Sequence, residues 1–72
     1  MNNYKIASFI AKKRKELGIK QKELAEKLYV TDKTISRWEN GNYMPDLTML
    51  IKLAELLNTS VYELLSGEEI QD

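Results

Sequence analysis

The sequence predicts an all-α, compact five-helix domain, and three observations lead to that reading. Apolar residues recur at helical spacing segment after segment, beginning with Ile6, Phe9 and Ile10. Capping residues and glycines punctuate the pattern, so the helices are short and their loops are short. With no cysteine in 72 residues, no disulfide or thiolate metal site can supply stability. One small core must do it, and idealised helix packing is the economical solution.

Each element follows in chain order. The spacing predicts a first helix over Tyr4 to Leu17, with Ile6, Phe9, Ile10 and Leu17 inward and Lys12, Lys13 and Lys15 outward. Asn3 is its expected N-cap and Gly18 its stop. The second helix runs from Gln21 to Leu28, with Leu24, Ala25 and Leu28 as its inner stripe. Lys20 stands where a capping Ser or Thr belongs. Tyr29, Val30 and Thr31 form a turn. Thr31 caps a third helix, Asp32 to Asn40, whose Ile35 and Trp38 face inward, and Gly41 ends it.

After the connector NYMP, Asp46 caps a fourth helix, Leu47 to Leu57, with Leu47, Leu50, Ile51, Ala54 and Leu57 expected in the core. Asn58 and Thr59 turn the chain. Ser60 caps a last helix, Val61 to Leu65, and Gly67 ends it. One domain is expected over residues 1–67, with residues 68–72 as a polar, solvated end.

Composition narrows the function classes. The chain has neither Cys nor His, so thiol nucleophiles, imidazole bases and the usual zinc ligand sets are excluded. Glu23 and Glu26 lie among Lys20, Lys22 and Lys27, and surface charge pairing accounts for them. No enzyme, metal or cofactor is expected. No apolar run approaches the ~20 residues that span a bilayer, and the N-terminus lacks a signal-peptide pattern. A cytoplasmic, nucleoid-associated location is expected, without membrane contact from this segment.

Net charge is zero, but it is unevenly spread. Residues 1–45 hold ten Lys/Arg against five acids, a balance of +5. Residues 46–72 hold one Lys against six acids, a balance of −5. Such asymmetry suits a basic working face and an acidic distal end.

Residues 21–40 are the most informative stretch. Two short helices joined by a tight turn have the spacing by which a helix-turn-helix unit sets one helix in a DNA groove. Ala25 is small where two helices would cross closely. With Ile35 and Trp38 docked inward, Asp32, Lys33, Thr34, Ser36 and Arg37 are left on the outer face of the third helix.

The strings LGIKQKELAEKL, TISRWENGNYMPD and LIKLAELLNTSVYELLSG resemble the Cro/phage-repressor type, or XRE, helix-turn-helix family, over about Ile6 to Gly67. That resemblance implies a lambda-repressor-like fold and a sequence-specific DNA-binding transcriptional regulator, read as a repressor, with the third helix in the major groove. It also implies a homodimer on a palindromic operator in double-stranded DNA. Asp32, Lys33, Thr34 and Arg37 match the family's base-facing positions. Gln21, Ser36, Asn40, Asn42 and Tyr43 match its phosphate-facing ones. Arg14 and Glu39 match its structural ion pair.

The family usually has glycine where this chain has Tyr29, so a strained left-handed tyrosine is expected there. The segment Asn58 to Tyr62, with Leu65 and Met44, serves either as dimer contact or as completion of the core. Regulators of this kind often carry a further C-terminal sensing, oligomerising or membrane segment. The alternative reading, of another class, is a protein-interaction module of antitoxin or adaptor type that keeps the fold.

Overall fold

The protein is described by a computed structural model covering residues 3–70. Five helices follow in order: α1 (Asn3–Glu16), α2 (Gln21–Leu28), α3 (Asp32–Glu39), α4 (Leu47–Leu56) and α5 (Val61–Ser66). No strand occurs among the described residues. α1 packs on α3 and α5, α2 on α3 and α4, and α4 on α5. Ile6, Phe9, Ile10, Leu24, Leu28, Ile35, Trp38, Leu53, Leu57 and Leu64 fill the space between them.

The caps explain why these segments become helices. The Thr31 hydroxyl accepts from the Thr34 N–H at 3.2 Å, and Asp46 Oδ1 accepts from the Met49 N–H at 2.9 Å. Each satisfies one of the orphan donors of a first turn. Ser60 and Glu63 form a reciprocal capping box on α5. At α2 only the reverse half exists, because a lysine side chain has no acceptor: Glu23 Oε1 accepts from the Lys20 N–H at 3.3 Å.

Several expectations need correction. Asn3 is itself the first described residue of α1 and does not cap it. Leu17 falls one residue beyond α1 and is exposed. Its expected place on the inner stripe passes to Arg14, which follows Ile6 and Ile10 at four-residue steps and is buried with them.

In α4, Leu47 and Ile51 are exposed at 65% and 45%, while Leu53, not expected inside, is fully buried. That helix is apolar nearly all round, so its sequence permits two stripes. The one built on Leu50, Leu53, Ala54 and Leu57 wins because α2 and α5 cover it.

The C-terminal end is also more ordered than a solvated tail. Glu68 reaches Lys5 at 3.3 Å, and Glu69 lies 3.5 Å from both Lys12 and Lys13. The Ile70 N–H donates to Glu63 Oε2 at 2.8 Å. Residues 67–70 therefore fold back along α1, while Asp72 of the expected tail lies outside the described residues. Gly67 makes this approach feasible. Its φ is +72°, and a Cβ there would sit 2.8 Å from Lys5 Cβ and 2.9 Å from the Lys5 carbonyl carbon.

Two strained or loaded positions give testable outcomes. Tyr29 has φ 58° and ψ 40°, the left-handed conformation, and the residue is 92% exposed. The side chain thus gains almost no packing to offset the strain. Tyr29→Gly is expected to stabilise the domain by about 1 kcal/mol, or roughly 4–8 °C in Tm, measured by circular dichroism.

Glu63 accepts from the Ile70 N–H, the Thr59 hydroxyl, and the Ser60 hydroxyl and N–H. These bonds, Ile70 first, hold its carboxyl below the usual glutamate range. Its stabilising effect is complete above the unfolded value of about 4.3 and is lost as pH falls through the lowered folded value. Urea midpoints taken across that acid window should fall less steeply for Glu63→Gln than for the wild type.

Candidate nucleic-acid interface

α3 presents its outer face to solvent because its inner one is anchored. Ile35 is 0% and Trp38 6% exposed, and they lock α3 against the core. Helical spacing then leaves Asp32, Lys33 and Arg37 exposed, with Thr34 and Ser36 half-buried beside them. α2 lies against α3 across the turn whose left-handed residue is Tyr29.

Several of the site residues read from the sequence are already engaged within the protein. The Thr34 and Thr31 hydroxyls lie 3.0 Å apart, so Thr34 also belongs to the cap of its own helix. Asn40 Nδ2 donates to Ser36 Oγ at 3.2 Å. The Arg37 guanidinium carbon lies 5.4 Å from the centre of the Tyr43 ring, within the range of a cation–π contact. Asn42 and Tyr43 are exposed on the loop that follows α3. Arg37 and Tyr43 also border an open hollow of about 280 Å³ between α3 and the start of α4, floored by Trp38, Met44 and Pro45.

Behind this face lies a buried polar node. Arg14 Nε donates to Glu39 Oε2 at 2.7 Å and Arg14 Nη2 to Glu39 Oε1 at 3.0 Å, a bidentate pair. The two side chains are only 10% and 5% exposed. Hydrogen bonding to Glu39 raises the guanidinium pKa above its ordinary value, against the opposing effect of burial. Arg14 Nη1 also donates to the Ile19 carbonyl at 2.8 Å, in the turn before α2.

The second partner of Glu39 was not foreseen from the sequence. Gln21 Nε2 donates to Glu39 Oε1 at 3.0 Å. No sequence signal marks this bond, since the two residues are 18 positions apart and on different helices. Among the described residues no buried side-chain nitrogen or oxygen lacks a partner.

The basic residues sort by place. Lys5, Lys12 and Lys13 of α1 are matched by Glu16, Glu68 and Glu69. Lys20 before α2, and Lys22, Lys27, Lys33 and Arg37 on α2 and α3, form no ion pair among the described residues, so the pairing expected of Glu23 and Glu26 with their neighbouring lysines does not form. Among the described residues no group of three or more acidic side chains could hold a metal ion.

Two short helices at this spacing, with an anchored inner face and an exposed polar outer face, define a helix-turn-helix domain. Residues 10–64 match the family model described as helix-turn-helix, and the chain belongs to that family, in its XRE-type branch.

The ImmF control region 10 kDa protein of Bacillus phage phi105 is 35% identical over 99% of this chain and 78% of its own length. The HTH-type transcriptional activator BcrR of Enterococcus faecalis is 40% identical over 74% of this chain. The matched part spans only 26% of BcrR. Among solved structures, the crystal structure of apo-HppE covers 100% of this chain with a TM-score of 0.79 at 27% identity, over 45% of that protein.

Removing one half of the buried pair leaves a lone charge in the core. Arg14→Ala is therefore expected to destabilise the domain by about 3 kcal/mol, read from urea unfolding. A domain of this size has only about 4–11 kcal/mol in total. An unchanged urea midpoint with weakened DNA binding would instead make Arg14 a surface contact residue.

Proposed function

We propose that the protein is a sequence-specific DNA-binding transcription regulator whose α3 enters the major groove. One observation supports this above the others. The exposed Asp32, Lys33 and Arg37 share one face of a helix whose opposite face is locked by Ile35 and Trp38. Membership of the helix-turn-helix family supports the same reading.

In this reading Arg37 makes a bidentate contact with guanine O6 and N7, and Lys33 contacts guanine or a phosphate. Thr34 offers its methyl to thymine or its hydroxyl to a phosphate. Asp32 accepts from a cytosine amine. Gln21, Ser36, Asn40, Asn42 and Tyr43 hold the backbone, which sets register without reading sequence. The first amides of α2 point the same way.

One copy offers few base contacts, so useful specificity calls for a homodimer on a palindromic operator, with half-sites roughly 34 Å apart. The exposed Tyr62, with half-buried Val61, Leu65 and Met44, offers the surface for it. We read the output as repression by occlusion of polymerase. The relative named as an activator supports recruitment from the same DNA-bound state as the second reading. Among the described residues no helix is long and apolar enough to cross a membrane, which is compatible with a cytoplasmic, nucleoid-associated role.

The test is selection of binding sites from a random duplex pool, followed by salt titration. The wild type should enrich a palindrome, and its affinity should fall steeply with salt as counterions are released. Arg37→Ala should lose about 1–3 kcal/mol of discrimination at a defined base pair while staying folded. Lys33→Ala should reduce the salt slope by about 1 if it neutralises a phosphate. Binding with neither selectivity nor salt dependence would mean that the fold serves protein contacts, as an antitoxin or adaptor does.

A further inference from the structure

We infer that Glu39 is a positioning residue for DNA contact: its buried carboxylate fixes the side-chain amide of Gln21 so that one N–H is held and the other is aimed at the backbone of bound DNA. The inference rests on the DNA-binding reading above and adds a mechanism to it.

The chemistry of the acceptor sets the orientation. An ionised carboxylate only accepts hydrogen bonds, so the Gln21 amide must turn its NH2 group, not its carbonyl, toward Glu39. One N–H is spent on Glu39 Oε1. The second N–H and the carbonyl oxygen remain, and they sit at the first residue of α2, whose own first-turn backbone amides also lack intrahelical partners. A phosphate oxygen needs donors, and this orientation supplies one from the side chain beside those of the backbone.

Each member of the node is hydrogen-bonded to another or to the backbone. Glu39 is held by two Arg14 nitrogens, and Arg14 is tied through Nη1 to the Ile19 carbonyl, two residues before Gln21. Glutamine is a flexible side chain that loses much rotamer freedom when it is fixed. Here that ordering takes place on folding, before DNA arrives, and it no longer weakens binding. Glu39 is also the last residue of α3, where the helix dipole disfavours a negative charge. A carboxylate at that site persists because Arg14 matches it, and Oε1, which takes the longer of the two Arg14 bonds, takes Gln21 as well.

A double-mutant cycle tests this. Affinity for a short random-sequence duplex at low salt is measured for the wild type, Glu39→Gln, Gln21→Met and the double variant, each shown to be folded at the working temperature. Gln21→Met keeps the Arg14–Glu39 pair but can neither be held nor donate. Each single change should weaken binding about tenfold, the scale of one well-placed hydrogen bond. In the Gln21→Met background, Glu39→Gln should weaken it by no more than about twofold. Equal losses in both backgrounds would overturn the inference, since Glu39 would then act only through the fold.

Where Glu39→Gln does not fold, the side-chain amide of Gln21 in the wild type decides by NMR. One Nε2 proton should be shifted and protected in the free protein, and the other should move when DNA is added. A solvent-like pair of protons would overturn the inference. Absence of any DNA binding by the wild type removes the functional reading itself. Binding without coupling removes only the role of Glu39.

Discussion

The Glu39 carboxylate is the point on which the arrangement of α1, α2 and α3 depends. It receives two nitrogens of Arg14 from α1 and one of Gln21 from α2, and it belongs to α3 itself. Three helices therefore meet at one charged group that is almost wholly buried. Burial of two ions is expensive, and an apolar pair of similar volume often gives equal or greater stability. The pair is better understood as a geometric constraint. An apolar pair would hold the helices together, but it would offer no acceptor to orient an amide at the start of α2.

The node also explains the shape of the core around it. Arg14 takes the place on α1 where the four-residue repeat of Ile6 and Ile10 would put a third apolar residue. Its guanidinium spends a donor on the Ile19 carbonyl, which ties down the turn before α2. Along the lysines of α1 a different device operates. Glu63 caps α5 with one oxygen and takes the Ile70 N–H with the other, so the chain after Gly67 is drawn along α1. α1 is thus held to α3 by a buried charge pair and to the returning chain by exposed, solvent-screened contacts along its length, which leaves the second set far more sensitive to acid and salt.

How much of this could be read from the sequence depended on how local the cause was. The caps at Thr31, Asp46 and Ser60, the stops at Gly41 and Gly67, and the inward Ile35 and Trp38 all follow from residues within a turn or two of each other, whereas the left-handed Tyr29 was expected from the family resemblance. The family resemblance supplied the Arg14–Glu39 pair. Tertiary causes were not legible. α4 carries apolar residues on nearly every face, and only the presence of α2 and α5 chooses Leu53 over Leu47 and Ile51. The Gln21–Glu39 bond and the return of Glu68 and Glu69 to α1 join residues far apart in the chain, and polar residues carry no periodic mark of their partners.

The same nonlocal pairing changes what a net charge of zero means. Counted along the chain, the first 45 residues are basic and the rest acidic. In space, part of the acidic end lies on Lys5, Lys12 and Lys13 of α1 and offsets them where they stand. Lys20, Lys22, Lys27, Lys33 and Arg37 remain at α2 and α3 and outnumber the exposed acids there, Glu23, Glu26 and Asp32, while Glu39 is already matched by Arg14. The domain is 34 Å along its longest axis, whereas exposed charges are screened within about 8–10 Å at ordinary salt. A polyanion approaching α3 therefore meets the charge of that face, not the sum over the chain, and overall neutrality sets no bar to its binding.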